Sequence, residues 1–225
     1  MGIGQTAAKT VGASVAPKYT FKYVRAVLDR AIDGVGPVKP AAASADAKLV
    51  AAHGDVEAAV KSLIRQHTRL AGIEGFTTNL GGIAAAPVAV PANITGVALI
   101  QCHLAAGIVH LRGYDLEDPR VRNAILACML GRGTVEGLIK RRALPSSPMA
   151  LATAPVADPL LDELISREVT TELIGKVAGR RAVTMVGRRI PLFGSGVGAA
   201  SDALTTHQVG TYTAEEMLDR RLRVV

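Results

Sequence analysis

The chain has 225 residues, of which 49% are apolar, 20% charged and 3% aromatic. That is too apolar for a disordered chain, and Cys102 and Cys128 are too few for a disulfide scaffold. Lys and Arg outnumber Asp and Glu by 26 to 19, a net charge of +7, which favours anionic partners.

Residues 1–17 are rich in small residues and read as an arm. A first helix is expected from about Pro17 to Ile32, stopped by Asp33-Gly34-Val35-Gly36-Pro37. Together they form an N-terminal unit over 1–40, ahead of a helical domain over 41–225. Lys39 to Ser44 reads as an Ala/Pro linker, with Ser44 or Asp46 capping a short helix that ends near His53-Gly54. Asp55 then caps an amphipathic helix. Val56, Val60, Leu63, Ile64, His67 and Leu70 share its apolar side, and Lys61, Arg65 and Arg69 the other. His67, at the edge of the stripe, reads as a half-buried, hydrogen-bonded histidine.

From Gly75 to Leu111 the chain has no Asp, Glu, Lys or Arg over 37 residues. Pro87 and Pro91 interrupt this run, and Asn79, Asn93, Gln101, His103 and His110 punctuate it. The pattern predicts two helices, about 75–86 and 92–111, packed as a buried core pair in preference to a membrane-inserting hairpin. Gly81, Gly82, Gly96, Ala105, Ala106 and Gly107 would permit close packing.

Gly113 suits a left-handed helix stop, and Asp118-Pro119 a cap with proline in the first turn. The helix that follows should turn Val121, Ala124, Ile125 and Cys128 inward and end at Gly131 or Gly133. Another follows over 134–142. Leu144 to Pro155 reads as a mobile loop. Asp158-Pro159 repeats the cap signal before a long helix marked by Leu161, Leu164, Ile165, Val169, Leu173, Ile174 and Val177. Ile190 to Gly198 breaks the pattern. A last helix over about 199–221 would turn Ala203, Leu204, His207, Thr211, Ala214 and Leu218 to one side. Ala182–Val186 is the nearest thing to a strand, so the fold class is all-α: a compact helical bundle with a Gly/Ala-rich central hairpin.

Few residues assemble into recognisable chemistry. Gly194, Gly196 and Ala199 have the spacing of a dinucleotide fingerprint but no preceding strand. His103 and His110, seven apart, share a helix face. With His207 and Asn93 they make a candidate pocket, yet zinc needs three or four ligands and spacing supplies two. No catalytic residue, metal or cofactor is assigned. The basic groups are Lys140-Arg141-Arg142, Arg180-Arg181, Arg188-Arg189 and Arg220-Arg221 with Arg223. Aromatics are too scarce beside them for base stacking, so nucleic acid is not an expected partner.

Several motifs taken together are familiar. They are Gly81-Gly82, Pro91-Ala92-Asn93, Gly113-Tyr114-Asp115-Leu116-Glu117-Asp118-Pro119, the run Arg189 to Gly198, and Ser201-Asp202-Ala203. On these, over roughly residues 55–217, the chain resembles the EcsC family, bacterial proteins named for a gene beside an ABC-transporter operon. Many members of that family carry an acidic residue near Asn93, and some carry more aromatics. The resemblance implies a helical, membrane-associated or peripheral protein and carries over no catalytic residue.

The leading expectation is therefore a non-catalytic, cytoplasmic helical protein, peripheral on the inner face of a bacterial membrane or attached to a membrane complex. Lys140, Arg141, Arg142, Arg188 and Arg189 would face anionic headgroups. The alternatives are a small-ligand or metal-binding protein or enzyme built on the histidine pocket, and a homo-oligomer held by small-residue helix faces.

Overall fold

The computed structural model describes residues 17–80, 86–156, 158–171 and 191–220. Every regular element among them is a helix, and the only extended pairing is a bridge between Val35 and Val38. In chain order the helices are α1 (Pro17–Asp33), α2 (Ala41–Ala51), α3 (Val56–Leu80), α4 (Ala86–Leu111), α5 (Pro119–Leu130), α6 (Arg132–Lys140), α7 (Pro148–Ala152), α8 (described over 159–171) and α9 (Pro191–Glu216).

Local signals fix most of the starts and stops. Gly34 turns the chain out of α1 at φ +84°. A Cβ there would lie 2.6 Å from the Val38 carbonyl oxygen, so only glycine fits the turn. The Asp55 carboxylate accepts from the Ala58 N–H at 3.0 Å, Asp118 from Arg120 at 2.8 Å, and Asp158 from Leu160 at 2.9 Å. Each cap satisfies a first-turn donor that has no partner in the helix itself. Gly113 is left-handed at φ +83°, and Gly131 ends α5.

Four expectations are corrected. Helix α2 begins after Pro40, with the Ser44 N–H already bonded to the Pro40 carbonyl at 3.0 Å. Ser44 and Asp46 therefore lie inside it and cap nothing. The helix expected over about 75–86 does not begin afresh at Gly75, because α3 runs unbroken through it to Leu80. The second helix of the pair starts at Ala86, ahead of both prolines. Pro87 falls in the first turn, where no ladder bond is lost, and Pro91 removes one bond further in. The Leu144–Pro155 segment is packed. It holds α7, which lies on α5 and buries Leu144, Leu151 and Ala152. Finally, α9 includes Gly194, Gly196 and Gly198 and ends at Glu216.

Helix α4 is the axis of the fold. Residues 101–109 are all buried, so its second half is core. Helices α1, α2, α3, α5 and α9 all pack on it. Ala98, Cys102, Ala105, Ala106 and Val109 join Val24, Val27 and Leu28 of α1 and Val121, Ile125 and Cys128 of α5 in one apolar cluster. Leu104, Ile108 and Leu111 join Ala45 of α2 and Val60, Leu63 and Ile64 of α3 in a second. Each fully buried leucine or isoleucine contributes about 1.5–3 kcal/mol. Helix α1, read from sequence as part of a 1–40 unit, thus shares its core with the rest. No helix among the described residues is long and apolar enough to cross a membrane.

The buried side of α9 differs from the expected one. Asp202, Thr206, Val209, Gly210 and Thr213 face inward, whereas Leu204 and Leu218 are 64% and 57% exposed. Polar residues are accommodated because α4 answers them: the Gln101 amide donates to the Thr206 hydroxyl at 3.2 Å. Helix α8 turns Ile165 and Val169 inward as expected. Arg25 of α1 ties it down through Asp162 at 3.2 Å and the Ser166 hydroxyl at 3.3 Å, and Asn123 of α5 bonds both Arg25 and Asp162. Leu173, Ile174, Val177 and the 182–186 segment lie outside the described residues.

Candidate functional site

The candidate site lies where α3, α4 and the α1–α2 connection meet. His67 occupies the apolar side of α3, one turn beyond Leu63, and is 3% exposed. His103 lies between Cys102 and Leu104 in the buried stretch of α4 and is 6% exposed. Their facing nitrogens, Nε2 of His67 and Nδ1 of His103, are 2.9 Å apart, and the rings overlap with centroids 5.1 Å apart. The outer nitrogens each meet a backbone carbonyl. His67 Nδ1 donates to Leu63 at 2.9 Å, and His103 Nε2 donates to Lys39 at 3.0 Å.

The hydrogens in this chain can be counted. A carbonyl oxygen only accepts, so both outer nitrogens carry a hydrogen. A neutral imidazole has one N–H. Two neutral rings thus have none left for the central nitrogen–nitrogen contact, and three contacts share two hydrogens. A third hydrogen would satisfy all three and give the pair one positive charge. Burial opposes that charge, pushing His67 down to about 4 and His103 below the ordinary histidine value. The carbonyl of Leu63 acts the other way on His67, and Lys48 of α2 lowers it further. Burial thus favours the uncharged pair at neutral pH.

A cavity of about 360 Å³ opens beside the pair. Pro37, Val38, Leu70, Leu99 and Ile100 make its apolar walls, and Lys39, Ser44, Gln66, His67 and His103 are its polar members. Its lining holds no carboxylate. The two outer ring nitrogens are bonded to backbone carbonyls, and the two inner ones face each other with room for one further proton. Among the described residues no group of three or more His, Cys, Asp and Glu is placed to hold a metal ion.

The residues expected to share a pocket do not converge. His103 belongs to this site. His110, two turns along α4, instead bonds Asp46 of α2 at 2.8 Å. His207 is exposed on α9 and lines a different cavity of about 520 Å³, beside Arg132, Tyr212 and Glu215. There Arg132 pairs with Glu215 and stacks over the Tyr212 ring at 5.0 Å. The Asn93 side chain lies outside the described residues, as do Arg188 and Arg189. Lys140, Arg141 and Arg142 are exposed at the end of α6. The Gly194–Ala199 spacing falls within helix α9, not in a phosphate-binding loop. Sequence reasoning missed the partnership of His67 with His103. The available signal was a histidine on each of two successive helices, both on apolar faces.

Comparison of the chain with protein-family models, with curated proteins and with solved structures finds no match.

Proposed function

We propose that the protein is a non-catalytic binding protein whose ligand is a small amphipathic molecule held in the cavity beside His67 and His103. The observation that carries this reading is the lining: five apolar residues together with Lys39, Ser44, Gln66 and the histidine pair. Small-molecule sites typically have this composition, concave and largely apolar with a few polar groups that orient the occupant, and the volume is at the lower end of their range.

Calorimetric titration with octanol and with octanesulfonate tests the reading. At least one of these probes is expected to bind at millimolar concentration or below. Leu70 is 43% exposed at the rim, so Leu70→Trp should block the cavity without unfolding the chain. Binding by neither probe, or binding unchanged in Leu70→Trp, overturns the reading.

A second reading is peripheral association with an anionic membrane surface, which the resemblance to EcsC proteins favours. Its support is the exposed run Lys140-Arg141-Arg142 at the C-terminal end of α6. Basic residues near such a surface contribute about 1 kcal/mol each. Co-sedimentation with phosphatidylserine-containing vesicles should be lost at high salt and in the triple variant K140E/R141E/R142E. Equal behaviour with neutral vesicles overturns it.

A further inference from the structure

We infer that the occupant of the His67–His103 cavity is an organic anion with a short apolar tail, and that it binds together with one proton taken up by the histidine pair. This rests on the reading of the cavity as a ligand site and specifies the ligand's charge. The argument begins from the hydrogen count. The pair has three close contacts, Leu63 O to His67, His67 to His103, and His103 to Lys39 O, and two hydrogens while it is neutral. One proton from water, added between His67 Nε2 and His103 Nδ1, gives three N–H groups on four ring nitrogens and a single positive charge. Every contact is then a hydrogen bond, and no bond to carbon is made or broken.

What withholds that proton is burial of the charge. An anion in the adjoining cavity removes this obstacle, because an opposite charge within a few ångströms favours the charged form of a base. The lining supplies no such charge itself, since it contains no Asp or Glu. Lys39 stands at the cavity as a second cation.

The surrounding elements leave that role open to a ligand. On α2, Lys48 acts on His67 with the wrong sign, and Asp46 is engaged by His110. On α3, Lys61, Arg65 and Arg69 are exposed. On α4, Leu99 and Ile100 meet the cavity. Helix α9 brings Asp202, buried, and His207, exposed at the other cavity. The apolar walls of Pro37, Val38, Leu70, Leu99 and Ile100 fit a short aliphatic or aromatic tail.

The test compares octanesulfonate, an anion at every pH used, with octanol, a neutral molecule of similar tail. Titration calorimetry at pH 7 in buffers of different ionisation heat reads the protons taken up. Octanesulfonate should bind with uptake of about one proton, and its affinity should fall towards tenfold per pH unit as pH rises from there. Octanol should bind more weakly, with no uptake and no such slope. His103→Gln, which keeps an amide in place of the ring, should abolish the uptake. Lys39→Ala, on an exposed side chain whose backbone carbonyl stays in place, should weaken octanesulfonate and leave octanol unchanged whether or not the histidine variant folds. Equal binding of the two probes, or octanesulfonate binding without proton uptake, overturns the inference and leaves the cavity as a ligand site. Binding of neither probe overturns the cavity reading itself.

Discussion

Gly210 of α9 lies so close to Ile64 of α3 that a Cβ on it would come within 2.9 Å of the Ile64 Cγ1 atom, and equally of Leu104 Cδ2 on α4. Three helices converge on this point, and the hydrogen atom of one glycine is what lets them meet. Alanine is the better helix former by about 1 kcal/mol, so local propensity and packing oppose each other here. Overpacking a well-filled core costs about 1–3 kcal/mol. Gly210→Ala should therefore be destabilising by about 1 kcal/mol net in urea unfolding. Ile64→Ala makes room, so the double variant should be less destabilised than the sum of the singles. A stabilising Gly210→Ala would show that the contact yields.

The histidine pair should make the ligand-free protein less stable in mild acid. The folded-state value of His67 is lowered to about 4, below the ordinary 6.5. Between those values the unfolded chain binds the proton and the folded one does not, so stability falls as pH drops from about 6.5 towards 4. The loss is on the order of 3 kcal/mol for His67. His67→Gln should flatten this part of the profile, and saturating octanesulfonate should oppose the fall. A profile with no change in slope between pH 6.5 and 4 would count against a buried neutral pair.

Asp118 should act in the same sense as His67, at lower pH. Its bond to the Arg120 side chain, with the first-turn N–H groups it accepts from, holds its carboxyl below the usual value. A lowered carboxyl stabilises the fold above its ordinary pKa and loses that contribution as pH falls through the folded value. Asp118→Ala should cost about 1 kcal/mol at neutral pH as a lost helix cap, and the difference from wild type should shrink below pH of about 4. Thermal unfolding at pH 7 and at pH 3 reads both arms.

Cys102 and Cys128 should be inert while the protein is folded. Both are fully buried, and burial pushes each thiol up to about 12. The thiolate is the reactive form, so a disulfide reagent should label neither cysteine in buffer and both in denaturing urea. Rapid labelling of one thiol in the native protein would reveal local opening of α4 or α5.

The parts of this fold that could be read from sequence are the local ones. Asp55, Asp118-Pro119 and Asp158-Pro159 mark helix starts because a cap needs only residues within one turn. Gly113 marks a stop for the same reason. Where a helix ends without such a marker, tertiary contact decides. Gly75 is passed over by α3, Pro91 is carried inside α4, and Leu144–Pro155 is held by α5. The inward side of α9 is not legible from Leu204, or from Leu218 just beyond its end, because Gln101 of α4 stands opposite Thr206 and lets a polar side turn in. The site was half legible. His103 was singled out, but its partner was sought along the same helix, at His110. The register between α3 and α4, which brings His67 to it, is not written in either helix alone.

Among the described residues, helix α3 and helix α9 form the most extensive helix pair, although α4 through α8 lie between them in the chain. On a ribosome the order matters. The α3–α4 pair emerges before α9, and the notch that Gly210 later enters stays open until α9 follows. Until then Ile64 and Leu104 are a sticky, solvent-facing edge, of the kind that chaperones recognise on nascent chains. Helix α9 is therefore a latch, and the core that α3 and α4 share is completed only when it closes.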